Sequence, residues 1–142
     1  MAAHTILVID DEDIIRWSLR ERLGQEGYRV MEAATAEEAR SRFGQGPELV
    51  LLDVRLPDGD GVALLGEFKA AEPDLPVILV TAHGTVENAV LAMRSGAYDY
   101  ISKPFSMEVI LLVLRRALEA ASMRRELSRL RTENRQIGRA HV

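Results

Sequence analysis

The residues best suited to chemistry in this chain recur at one kind of place. Asp10-Asp11 follow Ile6-Leu7-Val8-Ile9, Asp53 follows Leu49-Val50-Leu51-Leu52, Thr81 ends the run from Val77, and Lys103 follows Ala97-Tyr98-Asp99-Tyr100-Ile101-Ser102. Each run reads as a short strand, and turn residues such as Pro57, Gly59, Gly61, Gly84 and Pro104 come next. Carboxylates brought into one crevice repel one another unless protons or a cation intervene. A hard divalent cation suits them: Mg2+ takes oxygen ligands, often one or two carboxylates, and leaves a position for a phosphoryl oxygen. Asp53 is then free to attack phosphorus and form an acyl phosphate. Lys103 offers a compact positive charge to one phosphoryl oxygen and Thr81 a hydroxyl to another. The predicted chemistry is phosphoryl transfer driven by positioning and electrostatics. Taken singly, a strand-end Asp is most often a turn former or helix cap, and Thr81 and Lys103 have equally ordinary roles. Their conjunction at strand ends carries the reading.

These side chains meet only if the strands lie parallel, and the intervening segments are helical. Ile15, Leu19 and Leu23 share one face of a first helix, with Gly24 and Gly27 near its end. Tyr28 to Met31 is a weaker second strand. Thr35-Ala36-Glu37-Glu38 is a capping-box pattern opening a helix to about Phe43. A helix from about Gly61 turns Leu64, Leu65 and Phe68 inward, and another carries Val86, Ala89, Val90 and Met93 at core spacing and closes at Gly96. Ser106 caps the last helix. Five strands alternating with five helices predict an α/β doubly wound parallel sheet, in which ligands collect beyond the carboxyl ends of the strands.

A length of 142 residues suits one domain with a sizeable core, and 47% hydrophobic and 28% charged residues is ordinary for a globular protein. No apolar run approaches the roughly 18 residues of a membrane span, and the N-terminus does not read as a signal peptide, so a cytoplasmic location with no membrane partner is expected. Without cysteine there is no disulfide, thiolate metal site or thiol nucleophile. His83, two residues after Thr81, reads as an exposed loop residue, since Mg2+ prefers oxygen. Trp17 lies off the apolar face of its helix and is read as partly exposed, a fluorescence reporter.

The net charge of -4 hides an asymmetry: residues 1–114 hold 10 Lys+Arg against 19 Asp+Glu, and residues 115–142 hold 8 against 3. From Ser106 to about Gln136 there is neither Pro nor Gly, so helix can run for roughly 45 Å at about 1.5 Å per residue. Beyond the dense apolar stretch from Val109 to Leu114, the apolar residues thin to a seam. Ala120, Met123, Leu127, Leu130, Asn134 and Ile137 fall at alternating spacings of three and four, with Asn134 at a position that favours a two-stranded parallel pairing. Three readings stay open: a dimerising or signalling helix, a single surface helix, and a basic helix on DNA. The Arg residues lie largely off the seam, which favours the first.

Asp10-Asp11-Glu12, Asp53-Val54-Arg55-Leu56-Pro57-Asp58-Gly59-Asp60-Gly61, Thr81-Ala82-His83 and Lys103-Pro104-Phe105 resemble the signature set of response-regulator receiver domains of two-component systems, over about residues 4–121. The resemblance implies a flavodoxin-like (βα)5 fold that accepts a phosphoryl group from a sensor histidine kinase on Asp53. It further implies Mg2+ held by Asp11, Asp53 and the carbonyl of Arg55, with Asp10 acting largely through water, and phosphoryl contacts from Thr81 and Lys103. A cis Lys103-Pro104 bond and an aromatic switch at Tyr100, responding as Thr81 shifts, are implied as well. Ile15-Arg16-Trp17, Tyr98-Asp99-Tyr100 and Thr81-Ala82-His83 most resemble the NtrC-like subgroup, whose receivers precede a sigma-54-activating AAA+ ATPase and a DNA-binding domain.

On that pattern residues 1–121 form the receiver and 122–142 a linker helix, a coiled-coil segment that contributes to a homodimer. Stopping at Val142, with neither a phosphate-binding Gly-rich loop nor a helix-turn-helix, departs from the full pattern, and a fragment that does not itself bind nucleic acid is expected. Gly138 to Val142 does not continue the seam. Two rivals bear comparison. A Mg2+-dependent phosphatase with an aspartyl nucleophile would carry a second Asp two residues on, where Arg55 stands. A dimerisation module that is never phosphorylated would be indifferent to Asp53→Asn.

Overall fold

The computed structural model describes residues 3–82 and 84–140, with side chains as far as residue 132. His83, His141 and the chain's last residue therefore lie outside the described residues, as do the side chains of Asn134 and Ile137. The strands are β1 (Thr5–Ile9), β2 (Arg29–Ala33), β3 (Leu49–Leu52), a small hairpin β4 (Arg55–Leu56) and β5 (Gly59–Asp60), β6 (Val77–Thr81) and β7 (Asp99–Ser102). The helices are α1 (Asp13–Gln25), α2 (Ala36–Phe43), α3 (Gly61–Ala71), α4 (Val86–Arg94) and α5 (Met107–Ala140).

Five strands form one parallel sheet in the order β2-β1-β3-β6-β7, the flavodoxin-like doubly wound arrangement. Strand side chains alternate between faces, which divides the apolar runs into two cores. Ile6, Val8, Leu49, Leu51, Ile78 and Val80 meet Leu19 and Leu23 of α1 and Ile110, Leu111 and Leu114 of α5. Leu7, Ile9, Val50, Leu52, Val77 and Leu79 meet α2, α3 and Ala92 of α4. Because both faces are covered, the central strands are continuously apolar. Phe43 and Phe68 stack at 4.2 Å between ring centroids, joining α2 to α3.

Helix boundaries follow local chemistry. Thr35 Oγ1 accepts the Glu38 N–H at 3.1 Å, as the capping box predicts, but the Glu38 carboxylate reaches the Ala34 N–H at 3.4 Å. Gly27 and Gly96 turn with positive φ after α1 and α4, where a Cβ would be strained. The Ser106 carbonyl accepts the N–H groups of Val109 and Ile110, while its hydroxyl donates to Glu108 at 2.8 Å.

One expected face is rotated: of Val86, Ala89, Val90 and Met93, Ala89 alone turns toward the sheet. Val86, Val90 and Met93 are exposed, Val86 by 82%, and the side of α4 turned to the sheet carries Asn88, Ala89 and Ala92. Small residues let the helix backbone approach the sheet closely, so the larger apolar groups form an outward patch with Leu91.

Helix α5 is 34 residues long, extending past the expected end near Gln136 to Ala140. Ala117, Leu118 and Ala121 are its last buried residues. Ala120 is half-buried, and Met123, Leu127 and Leu130 are exposed along the helix beyond. Among the described residues, no helix is long and apolar enough to cross a membrane.

Candidate functional site

The sheet ladder delivers the predicted residues to one crevice. Past the last β1–β3 pair, Ile9 with Leu52, the Asp53 N–H donates to the Ile9 carbonyl at 2.9 Å, and the Asp10 N–H donates to Ala33 at 3.0 Å. Both carboxylates thus emerge beside the central strand, where connections depart in opposite directions. On the other side Thr81 pairs with Ser102, and the Lys103 N–H donates to the Thr81 carbonyl at 2.9 Å. The Lys103-Pro104 bond is cis. Among the described residues, the polar side chains buried as deeply as the core are Asp10, Asp53 and Thr81, all at this crevice.

Lys103 crosses the crevice. Its Nζ lies 2.6 Å from Asp10 Oδ2, 3.1 Å from Asp53 Oδ2 and 3.3 Å from Glu12 Oε1. The second Asp10 oxygen accepts the Glu12 N–H at 2.9 Å, so Asp10 forms a local turn and an ion pair at once. Burial raises the Asp10 pKa, although the Lys103 ammonium and the Glu12 N–H oppose it. For Lys103, burial pulls downward, but Asp10 and Asp53 together outweigh it and hold the ammonium above its ordinary value. The ammonium supplies part of the cation that the carboxylates require.

Carboxylate oxygens of Asp10, Asp11, Glu12 and Asp53 all lie within 4.8 Å of one another. Asp11 and Glu12 are exposed, so the cluster opens outward from the buried pair. An all-oxygen donor set of this charge fits a hard divalent cation. Arg55 stands at the rim, its N–H 3.4 Å from Asp53 Oδ1. Gly61 makes the turn fit: a Cβ there would lie 2.2 Å from the Asp53 carbonyl oxygen, and its N–H donates to Val54 at 2.5 Å.

Tyr100 is half-buried against the core on the α3 and α4 side. Its hydroxyl takes a hydrogen bond from the backbone of Thr85, and a Cβ at Gly84 would lie 3.2 Å from its ring. Burial first, then the Asp53 charge, raises its pKa. Tyr100 therefore touches the loop that leaves Thr81.

Three contributors were not singled out from sequence. Glu12 joins the carboxylate cluster, as its place in Asp10-Asp11-Glu12 could have suggested. Arg16 Nη1 donates to the Asp10 carbonyl at 2.6 Å while its other nitrogens meet Asp13 and Glu32, so a mostly buried guanidinium braces the acidic turn. Asp58, in the turn after Asp53, accepts the Ala36 and Glu37 N–H groups. A lone Arg or Asp at such positions carries no signal that separates it from surface charge. Trp17 is half exposed, as expected.

Comparison with known proteins agrees with this geometry. Residues 6–115 match the response regulator receiver domain family. Regulatory protein AtoC of Escherichia coli (strain K12) is 39% identical over 130 residues, covering 91% of this chain and 28% of that protein. The crystal structure of NtrX from Brucella abortus superimposes with a TM-score of 0.85 at 44% identity, covering 92% of this chain and 30% of that one. The beryllofluoride-activated NtrC4 receiver domain dimer gives a TM-score of 0.79 at 42% identity, with 82% and 98% covered. The chain thus spans less than a third of the full-length relatives and nearly the whole of an isolated receiver, and it belongs to the response regulator receiver domain family.

Proposed function

We propose that this receiver accepts a phosphoryl group on Asp53 from a phosphohistidine of a sensor histidine kinase, as a switch rather than a turnover enzyme. An Asp53 carboxylate oxygen attacks phosphorus, an acyl phosphate P–O bond forms, the P–N bond breaks, and the departing imidazole retains its electron pair and takes up a proton. Asp10, Asp11, Asp53 and the Arg55 carbonyl would hold Mg2+, with Asp10 acting largely through water. When bound, the ion screens the carboxylates and the phosphoryl oxygens from one another. Lys103 and Thr81 orient the phosphoryl oxygens, and Lys103 then exchanges part of its carboxylate contact for phosphoryl contact. Thr81 and Tyr100 form the switch, a shift between two packings of the loop that Tyr100 touches.

The observation that carries this reading is the Lys103 ammonium held between Asp10 and Asp53, with buried Thr81 at the neighbouring strand end. Residues 1–121 act as the receiver and 122–142 as a linker helix that joins a homodimer through Ala120, Met123, Leu127, Leu130, Asn134 and Ile137. The output is a sigma-54-type transcription activator with an AAA+ ATPase and a DNA-binding domain, and this segment does not itself bind nucleic acid. AtoC, a regulatory protein, and the activated NtrC4 receiver dimer support the reading by similarity.

Intact mass after incubation with acetyl phosphate and Mg2+ tests it. Wild type should gain one phosphoryl group only with Mg2+, and Asp53→Asn should gain none. Failure of wild type to gain mass under conditions that label another receiver would sink the proposal.

A further inference from the structure

The turn after Asp53 folds into the β4–β5 hairpin, in which Arg55 pairs with Asp60 and Leu56 with Gly59. Strands of two residues do not hold such a ribbon by themselves, since even longer isolated hairpins are marginal in water. Leu56 is buried in the core and holds one side of the ribbon, whereas its tip is exposed from Pro57 to Asp60. The tip itself is tied down by Asp58. One carboxylate oxygen accepts the Ala36 N–H at 2.7 Å and the other accepts the Glu37 N–H at 3.0 Å, across 22 and 21 residues of sequence.

Those N–H groups belong to the first turn of α2, where helix geometry leaves donors without partners and favours negative charge. They hold the Asp58 carboxyl below its usual range. Thr35 already caps the same helix by accepting the Glu38 N–H, so α2 has its own cap and Asp58 adds a tie to a different segment. Gly59 passes close by, and a Cβ there would lie 3.3 Å from that of Ala36. At the other end of the hairpin, Asp60 accepts the Val62 N–H at 3.0 Å and anchors the ribbon to α3. Arg55, whose N–H faces Asp53, lies in the ribbon between these two ties.

We propose that Asp58 is a positioning residue for the cation pocket: by clasping the first turn of α2 it fixes the hairpin and, through it, the Arg55 peptide beside Asp53. The inference rests on the Mg2+ pocket proposed above. Asp58 does not touch the ion. It sets the place of a backbone group that does.

The test is a Mg2+ titration of the unphosphorylated protein, followed by the backbone amide signals of Asp11 and Arg55, on wild type, Asp58→Ala, Asp58→Asn and Thr35→Ala. Asp58→Ala should raise the half-saturating Mg2+ concentration about tenfold, the lower end of what partners behind metal ligands contribute. Asp58→Asn, which keeps one acceptor oxygen, should fall between. Thr35→Ala weakens the α2 cap without releasing the hairpin and should leave Mg2+ binding unchanged.

Equal half-saturation in wild type and Asp58→Ala would overturn the inference while leaving the phosphoryl-acceptor reading in place. So would an equal shift in Thr35→Ala, which would reduce the effect to general weakening of α2. Absence of saturable Mg2+ binding in wild type would overturn both.

Discussion

Lys103 Nζ stands 3.1 Å from Asp53 Oδ2 although 50 residues separate the two in sequence. The contact keeps the acceptor carboxylate in place, and the Lys103 side chain is only 8% exposed. Lys103→Met therefore leaves Asp10 and Asp53 facing each other without a cation. Without Mg2+ at neutral pH the variant should lose about 3 kcal/mol of unfolding free energy in a urea titration. Mg2+ at ten times its dissociation constant should return about 1.4 kcal/mol. A loss below about 1 kcal/mol would mean that the carboxylates find water instead of needing the ammonium.

The same pair has a pH signature. Because the folded-state pKa of Lys103 lies above its ordinary value, its contribution is fully present below the unfolded-state pKa, about 10.4, and is lost as pH rises through the higher folded value. Wild type should lose stability over that alkaline range more steeply than Lys103→Met, as read by denaturant midpoints at stepped pH. Parallel curves would remove Lys103 as the source.

Thr81 has the burial of a core residue and the chemistry of a donor. Thr81→Ala should keep the fold and slow labelling by acetyl phosphate by about 10²-fold, the scale of losing one preorganised donor to developing charge. Thr81→Ser, which keeps the hydroxyl, should recover most of the rate. Equal rates in all three proteins would take Thr81 out of the reaction.

Helix α4 gives a direct test of its rotated face. Ala92→Leu places extra volume where no side-chain surface is exposed and should cost about 1–3 kcal/mol. Val90→Lys, on the outward patch, should change stability by less than about 0.5 kcal/mol. Denaturant titration of the two variants distinguishes them, and the opposite order would restore Val90 to the core.

The exposed part of the α5 seam should mediate self-association. Leu127→Lys puts charge at the middle of Met123, Leu127 and Leu130 and should shift sedimentation toward monomer. A dimer unchanged by it, and by Met123→Lys, would place the contact elsewhere.

Much of this molecule was decided by local sequence. Apolar runs ending in Asp, Thr or Lys marked the strands and the ends where chemistry gathers, because a strand buried on both faces admits no polar residue until it emerges. Parallel order followed from the helical pattern between runs, and Thr35 and the glycines marked helix ends through backbone constraints that act within a few residues. The face of α4 was not legible. Its apolar residues have helical spacing, but whether large or small groups meet the sheet depends on how closely two elements approach, which is a property of the pair.

Tertiary structure alone decided the partners of the charged groups. Nothing near Lys103 in sequence points to Asp10 and Asp53 as joint partners, nothing near Arg16 to Glu32, and nothing near Asp58 to the first turn of α2. Such contacts depend on strand order and register, which bring distant segments within hydrogen-bond range, whereas caps and hydrophobic periods are set by residues a few positions apart.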